Sequence, residues 1–256
     1  MKIIDADTHL SPYPHLPGSL RVEDLIERMD FAEVEKALVW IQPPYQKDLD
    51  ESLEYLYQGV KRYPDRLIGY GWADPRLGVE KAINTAKKCI NDYGFYGVKL
   101  NGAQNEYFID DPEISMPVIE TIAKMGKPIA FHIGADAYEF THPFRLGKIA
   151  KRFPEIPMLM VHMGGAAFAD LSSACIEIAA EHPNITTIGS GIRDISILKG
   201  IQKLGARRIC FGSDAPFALM NASVAMYRAI MKWGKLSQEE QEMIMSGNIK
   251  RVLNIP

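Results

Sequence analysis

The chain has 256 residues, of which 47% are hydrophobic and 24% are charged, and its formal net charge is -3 at pH 7. This composition is typical of a globular protein with a sizeable core, and the charge gives no electrostatic basis for binding nucleic acid or an anionic membrane. No apolar run approaches the roughly 18 residues that span a bilayer. The three cysteines are far apart and in no CxxC spacing, as is typical of reduced thiols. We therefore expect a cytoplasmic protein.

The first strand-like segment, residues 2–10, carries Asp7 and His9 two positions apart. Residues i and i+2 of a strand project from the same face, so this carboxylate and this imidazole are expected to point the same way. Such a pair is suited to bind a metal ion. The alternative is that Asp7 and Thr8 are ordinary residues of a strand end that enters a turn.

Apolar runs and segments of helical spacing then alternate along the chain. The predicted strands are residues 2–10, 36–41, 67–73, 97–100, 128–134, 158–165, 185–189 and 208–214. The predicted helices are residues 21–29, 49–63, 79–93, 112–125, 144–153, 168–181, 194–204 and 221–233. A last helix is expected after Ser237, because Glu240 three residues later completes a capping box.

This alternation predicts an α/β fold, a (β/α)8 TIM barrel that residues 1–256 form as a single domain. The repeat of roughly 29 residues has the length of one βα unit. The strands are apolar on both faces, as buried parallel strands must be. A doubly wound open sheet is the alternative, but it usually has a glycine-rich phosphate loop after its first strand, where this chain has Asp7-Thr8-His9.

Polar residues stand at the predicted carboxyl ends of several strands, where TIM barrels hold their active sites. They are Asp7, His9, Lys99, His132, His162 and Asp214. One histidine in an apolar strand is usually a hydrogen-bonded core residue. Three of them, with two carboxylates, would be costly to bury without a partner. A divalent cation is the partner that imidazole and carboxylate groups favour, with zinc, manganese or iron as the candidates.

Four motifs resemble the amidohydrolase superfamily, and most closely its amidohydrolase-2 branch, which contains both decarboxylases and hydrolases. They are Asp-Thr-His at 7–9, Ile-Ala-Phe-His at 129–132, Met-Val-His-Met-Gly-Gly at 160–165 and Phe-Gly-Ser-Asp-Ala-Pro-Phe at 211–217. The resemblance implies one divalent metal ion, zinc or manganese, with His9, His132 and Asp214 as ligands. It also implies that His162 lies beside the metal as an acid/base. Asp7 takes the ligand position where the family usually has His and sometimes Glu.

Lys99 has two interpretations under this resemblance. Binuclear members of the superfamily bridge two metals with a carboxylated lysine on the corresponding strand. We favour the other interpretation, in which Lys99 neutralises a substrate carboxylate or pairs with Asp7. Further substrate contacts are expected from Trp72, Arg145 and Arg193, which follow strand ends, although solvated surface arginines are an equal alternative for the last two.

A metal held by Asp7, His9, His132 and Asp214 would lower the pKa of a bound water, and His162 or Asp214 would move the proton. We therefore expect a metal-dependent hydrolase of a small amide, lactone or carboxylated carbonyl compound. Short loops favour hydrolysis by a small margin, because no inserted cap would shield a carbanion-like intermediate from water. The alternative is non-oxidative decarboxylation of a small aromatic or unsaturated carboxylic acid.

A second alternative is an inactive barrel with a binding role, which the replacement of the family's first histidine by Asp7 would support. In either enzymatic case the expected partner is a small-molecule substrate. The apolar outer helices also make a homodimer plausible.

Overall fold

The computed structural model describes residues 1–43, 49–134, 136–165 and 171–256. The strands in these residues are β1 (Ile4–Leu10), β2 (Lys36–Ile41), β3 (Leu67–Gly69), β4 (Gly71–Trp72), β5 (Val98–Leu100), β6 (Ile129–Gly134), β7 (Met158–Gly164), β8 (Ile185–Ile188) and β9 (Ile209–Cys210). The helices are α1 (Val22–Phe31), α2 (Leu49–Arg62), α3 (Val79–Asn91), α4 (Met116–Lys124), α5 (Pro143–Arg152), α6 (Ser172–Glu181), α7 (Asp194–Leu204), α8 (Met220–Trp233), α9 (Gln238–Glu242) and α10 (Asn248–Leu253). The chain divides into two compact units, Met1–Gly69 with Gly189–Pro256 (unit 1) and Tyr70–Ile188 (unit 2).

In unit 1, β1 pairs in parallel with β2, and β2 pairs in parallel with β3. On its other side β1 lies beside β9 and the residues that follow it. The amide of Ala6 donates to the carbonyl of Phe211 at 3.0 Å, and the amide of Asp214 donates to the carbonyl of Asp7 at 2.9 Å. All seven residues of β1 are buried. Its polar side chains therefore stand inside the unit and need polar partners there.

In unit 2, β4 to β8 form parallel pairs in sequence order. Every residue of β6 and β7 is buried, as expected for strands that are covered on both faces. The helices of this unit bury one face each; α3, for example, buries Ala82, Ala86 and Cys89. The carboxyl ends of these strands lie at one edge, which brings their terminal side chains near one another.

Two strand irregularities lie at predicted site residues, one at Asp7 in β1 and one at His162 in β7. In β1, Asp5 pairs with Ala37 and Thr8 with Val39, so β1 has one more residue than β2 in this interval. In β7, an extra residue stands where His162 and Met163 adopt positive φ angles of 68° and 46°. Bulges re-aim the side chains beside them, and positive φ in residues other than glycine often marks functional sites.

The predicted strand 67–73 is interrupted at Tyr70, which is fully buried and donates its hydroxyl to the carbonyl of Pro128 at 2.8 Å. The predicted strand 208–214 is regular only in β9, because the chain turns away before Asp214, whose φ is 62°. The capping box of Ser237 and Glu240 is present, but the last helix is divided by a π-helical turn, Met243–Gly247. The first residues of the predicted helix 168–181 lie outside the described residues, and α6 begins at Ser172.

The ends of β6 and β7 approach each other so closely that only glycine fits between them. A Cβ atom built on Gly134 would lie 2.4 Å from the Cα of Gly164, and Gly134 has a φ of +82°. We expect Gly134→Ala to lower the free energy of unfolding by about 3 kcal/mol, through the clash and the backbone strain together. Urea unfolding followed by circular dichroism measures this change.

Gly126→Ala is the matched control, because Gly126 also has a positive φ, of +66°, but its Cβ would have no heavy atom within 4 Å. Gly126→Ala should lower the free energy of unfolding by only about 1 kcal/mol, which is the cost of the positive φ angle without a clash. Equal losses in the two variants would contradict the close approach of the strand ends.

Candidate metal centre

Three side chains with metal-binding chemistry converge at the carboxyl end of β1 in unit 1. The Nε2 atom of His9 lies 3.4 Å from Oδ1 of Asp7 and 3.4 Å from Oδ1 of Asp214. A carboxylate oxygen of Asp7 and one of Asp214 lie within 4.8 Å of each other. Asp7 and His9 are buried, and 14% of the Asp214 side chain is exposed. Two carboxylates and an imidazole within this distance form a donor set that suits zinc or manganese.

The hydrogen bonds of His9 determine which ring nitrogen carries the proton. Nδ1 lies 2.9 Å from the carbonyl oxygen of Ile41, which can only accept, so Nδ1 must be the donor. Nε2 lies 3.1 Å from the indole nitrogen of Trp40, which can only donate, so Nε2 is the acceptor. The ring is therefore neutral, and its acceptor nitrogen Nε2, which accepts from the indole N–H of Trp40, also lies 3.4 Å from an oxygen of each carboxylate. A metal ligand needs this tautomer, in which the other nitrogen is fixed by a backbone carbonyl.

Asp7 is held by its backbone and by its side chain. Its amide donates to Oδ1 of Asp5 at 3.1 Å, and its carbonyl accepts from the amide of Asp214. Its Oδ2 accepts a hydrogen bond from the hydroxyl of Ser190, which follows β8 and is fully buried. The main chain of Asp7 is thus tied to that of Asp214, and this tie brings the two carboxylates to one end of β1.

Asp5 is a buried carboxyl directly before this cluster. Burial raises its pKa to about 7, against the opposing effect of hydrogen bonds that include the amides of Ser213 and Asp7. The amide of Ser213 donates to Oδ1 of Asp5 at 2.9 Å. Asp5 therefore connects β1 to the segment that carries Asp214, which is a structural role that the sequence pattern did not reveal.

Lys99 in unit 2 is fully buried at the end region of β5. Its Nζ lies 5.5 Å from the centroid of the Trp72 ring, within the range of a cation–π interaction. The indole nitrogen of Trp72 donates to Oδ1 of Asn105 at 3.3 Å, which fixes the ring. The structure thus brings together Lys99 and Trp72, the two substrate-binding candidates of this unit that stand on neighbouring strands.

His132 and His162 are also neighbours in unit 2, with ring centroids 4.7 Å apart in an edge-to-face arrangement. Both are buried, with exposures of 4% and 2%. Nε2 of His132 lies 3.6 Å from Oδ2 of Asp136, and the same oxygen accepts from Nε2 of Gln104 at 3.0 Å. The adjacent ends of β6 and β7 therefore place two imidazoles side by side, with a carboxylate next to one of them.

The two arginine candidates differ in their surroundings. The guanidinium of Arg145 pairs with Asp110 at 2.6 Å, donates to the carbonyl of Glu139 at 2.8 Å, and lies 4.2 Å from the centroid of the Phe108 ring. These contacts hold the Arg145 side chain, at the start of α5, against the segment that carries Phe108 and Asp110, and they disfavour the predicted contact with a substrate. Arg193 is exposed immediately before α7, so its side chain is accessible in unit 1.

Three residues that contribute to these clusters were not identified from the sequence. Ser190, Trp40 and Asp136 each contact one of the predicted metal ligands. The only sequence signal for Ser190 and Trp40 is their position at strand ends, which they share with many residues of no special role. Asp136 is four residues after His132, a spacing that indicates nothing outside a helix.

Comparison with solved structures defines the class of fold. An uncharacterised TIM-barrel protein from Bordetella bronchiseptica has a TM-score of 0.79 and 18% identity, and the comparison covers 99% of both chains. A dihydroxybenzoic acid decarboxylase from Polaromonas, with bound manganese and the inhibitor 2-nitroresorcinol, has a TM-score of 0.78 and 17% identity, over 99% of this chain and 97% of that one. The chain therefore has the α/β TIM-barrel fold predicted from its sequence.

The sequence comparisons identify the family. A family model described as amidohydrolase, of the amidohydrolase-2 branch, matches residues 4–255, so the chain belongs to this family of enzymes. A 2-amino-3-carboxymuconate-6-semialdehyde decarboxylase from Dictyostelium discoideum is 24% identical, over 84% of this chain and 69% of that protein. The resemblance drawn from the four motifs is confirmed.

The expectation of a hydrolase is wrong. The similar proteins from Dictyostelium discoideum and Polaromonas are both decarboxylases, which agrees with the alternative reaction and not with the preferred one. The preference for hydrolysis rested on short loops, and loop length does not determine which group a metal centre polarises.

Among the described residues, no helix combines the length and the apolar character needed to cross a membrane. The cytoplasmic location stays a prediction.

Proposed function

We propose that this protein is a metal-dependent non-oxidative decarboxylase of a small aromatic or unsaturated carboxylic acid. The observation that carries the proposal is the cluster of Asp7, His9 and Asp214, in which Nε2 of the neutral His9 ring lies 3.4 Å from a carboxylate oxygen of each aspartate. Membership of the amidohydrolase family and the decarboxylase activity of its similar proteins support this reaction.

The metal ligands that we propose are Asp7, His9, His132 and Asp214. The donors of unit 1 fit a divalent cation in their chemistry, because they combine hard carboxylate oxygens with a neutral imidazole. Manganese is supported by the ion bound in the Polaromonas decarboxylase, and zinc is the other candidate. When bound, such a cation polarises the substrate carboxylate and a neighbouring hydroxyl.

Lys99 is the proposed partner of the substrate's negative charge. Its ammonium is fully buried in unit 2 and lies over the ring of Trp72. A buried cation attracts an anion more strongly than an exposed one, because water screens it less. We assign Lys99 and Trp72 to substrate binding, with Trp72 offering an aromatic face. Arg193 is a further candidate for the substrate carboxylate because its side chain is exposed.

Decarboxylation requires a proton at the carbon that bears the carboxylate. Once that carbon is protonated, the bond to the carboxylate breaks, its electron pair restores the π system, and carbon dioxide leaves. His162 and Asp214 are the groups to which we assign this proton transfer, because imidazole and carboxylate side chains are common general acids and bases. The neighbouring ring of His132 and the bulge of β7 fix the orientation of His162.

Carbon dioxide release tests the proposal directly. Purified protein, stripped of metal and reloaded with Mn²⁺, should release carbon dioxide from hydroxylated benzoates such as 2,6-dihydroxybenzoate, or from an unsaturated aliphatic acid. The product should lack the carboxylate and carry one deuteron on that carbon when the reaction is run in D₂O. Mass spectrometry of the product measures both changes.

A panel of amides and lactones serves as the control for hydrolysis, and the metal-stripped protein serves as the control for metal dependence. Ring opening of lactones without any release of carbon dioxide from carboxylic acids would contradict the proposal. Equal turnover by the metal-stripped and the reloaded protein would contradict its metal dependence.

We assign residues 1–256 to one amidohydrolase-like TIM-barrel domain, because the family match extends over residues 4–255. A homodimer is supported by exposed apolar side chains on the outer helices, including Trp233 at 81% exposure and Phe31 at 77%. Sedimentation velocity at micromolar concentration distinguishes the monomer from the dimer.

A further inference from the structure

The buried Ser190 contacts Asp7, the proposed metal ligand that stands where the family usually has histidine. The hydroxyl of Ser190 donates a hydrogen bond to Oδ2 of Asp7, and neither residue has any exposed surface. The two residues are 183 positions apart, and both belong to unit 1. A buried carboxylate is costly unless it accepts hydrogen bonds, and the hydroxyl of Ser190 supplies one to Asp7.

An aspartate ligand needs such a contact more than a histidine does. A carboxylate has two equivalent oxygens that exchange places by rotation about the Cβ–Cγ bond, so a contact with another residue must set which oxygen faces the cluster. With Oδ2 bonded to Ser190, the oxygen that faces Nε2 of His9, at 3.4 Å, is Oδ1. His9 is held in a comparable way, since its Nδ1 donates to the carbonyl of Ile41, while its Nε2 accepts from Trp40 and lies 3.4 Å from Oδ1 of Asp7. In both residues a partner on one atom sets the orientation of the side chain and therefore of its other donor atom.

The position of Ser190 is itself fixed by neighbouring contacts. The hydroxyl of Tyr227, on α8, donates to the carbonyl of Gly189 at 2.9 Å, and the amide of Gly189 donates to Cys210 at 3.2 Å. A Cβ atom on Gly189 would lie 2.3 Å from the hydroxyl oxygen of Tyr227. These contacts hold the backbone of Gly189, directly before Ser190, in place. The serine hydroxyl therefore has little freedom to move away from Asp7.

We propose that Ser190 is a positioning residue that orients the Asp7 carboxylate, so that Oδ1 would be the oxygen offered to a divalent cation. This inference rests on the proposed function, because it requires that Asp7 binds a divalent cation. It explains how an aspartate can replace the histidine that the family usually has at this position. The hydrogen bond from Ser190 orients the Asp7 carboxylate, as a hydrogen bond to the second ring nitrogen orients a histidine ligand.

The test compares Ser190→Thr with Ser190→Val, two variants of nearly the same shape of which only the first keeps the hydroxyl. Titration of metal-stripped protein with Mn²⁺, followed by electron paramagnetic resonance of the unbound ion, gives Kd without any assay of activity. Ser190→Val and Ser190→Ala should raise the Kd by about 10- to 100-fold, as loss of an outer hydrogen-bond partner of a metal ligand usually does. Ser190→Thr should stay within about threefold of wild type.

Ser52→Ala is the matched control, because Ser52 is a buried serine of α2 that contacts none of the proposed ligands among the interactions described. Its Mn²⁺ affinity should equal that of wild type. Equal Kd values for Ser190→Thr, Ser190→Val and wild type would overturn the role of Ser190 while leaving the proposed function intact. A wild-type protein that binds no Mn²⁺ at all would overturn both.

Discussion

Replacing His162 by asparagine is expected to reduce turnover by about 10²- to 10⁴-fold, the usual contribution of a general acid/base. Asparagine cannot give up or take a proton near neutral pH, so the proton transfer assigned to His162 would be lost. It is also the replacement that the backbone tolerates best, since His162 has a φ of 68° and asparagine adopts this region readily. Binding of Mn²⁺ should be unchanged, because His162 is not in the proposed ligand set.

The measurement is kcat for carbon dioxide release at saturating Mn²⁺, together with the Mn²⁺ Kd of the variant. His182→Asn is the control, because His182 lies at the carboxyl end of α6, away from the end of β7 that carries His162. That variant should retain wild-type activity. Full activity of His162→Asn would remove His162 from the mechanism, and loss of Mn²⁺ would make it a ligand instead of an acid/base.

Asp214→Asn is expected to weaken Mn²⁺ binding by at least about 100-fold, since it removes a charged ligand and keeps the shape of the side chain. Turnover should fall with the metal. The backbone should again be undisturbed, because Asp214 has a φ of 62°, which asparagine tolerates. The amide of residue 214 would still donate to the carbonyl of Asp7, so the local fold is expected to persist.

Calorimetric titration of the metal-stripped variant with Mn²⁺ measures the loss of affinity. Asp65→Asn, in an exposed turn between α2 and β3, removes one carboxylate of unit 1 far from the cluster along the chain and should leave the Kd unchanged. If both variants bound Mn²⁺ as tightly as wild type, Asp214 would not be a ligand, and the donor set of unit 1 would be reduced to Asp7 and His9.

Local sequence patterns predicted most of the secondary structure. Helix α7 begins and ends as predicted, at residues 194 and 204, and α2 and α8 deviate by one residue at one end. These segments combine strong 3.6-residue periodicity with clear stop signals, which are local properties. The strand predicted at 208–214 is regular only at Ile209–Cys210, because the residues after it turn away from the sheet ladder. The conformation of these residues, which include Asp214, depends on hydrogen bonds to β1, and such distant contacts cannot be read from the local sequence.

The reaction was harder to predict than the fold. Imidazoles and carboxylates at strand ends indicate a divalent metal, but the same donors polarise a water molecule in a hydrolase and a substrate carboxylate in a decarboxylase. What distinguishes the two reactions is how the substrate is bound, and we assign Lys99 and Trp72, which contact each other in unit 2, to this role. Sequence places these two residues on successive strands without indicating that they touch.

The sequence by itself determined the order of βα units, the family, and the residues that carry imidazole and carboxylate groups at strand ends, because periodicity and motifs are properties of neighbouring residues. Only the tertiary structure decided that Ile41 fixes the tautomer of His9 and that Ser190 fixes the carboxylate of Asp7. Those contacts join residues 32 and 183 positions apart. Their geometry depends on strand pairing and on the bulge in β1, and neither feature follows from the identity of the residues involved.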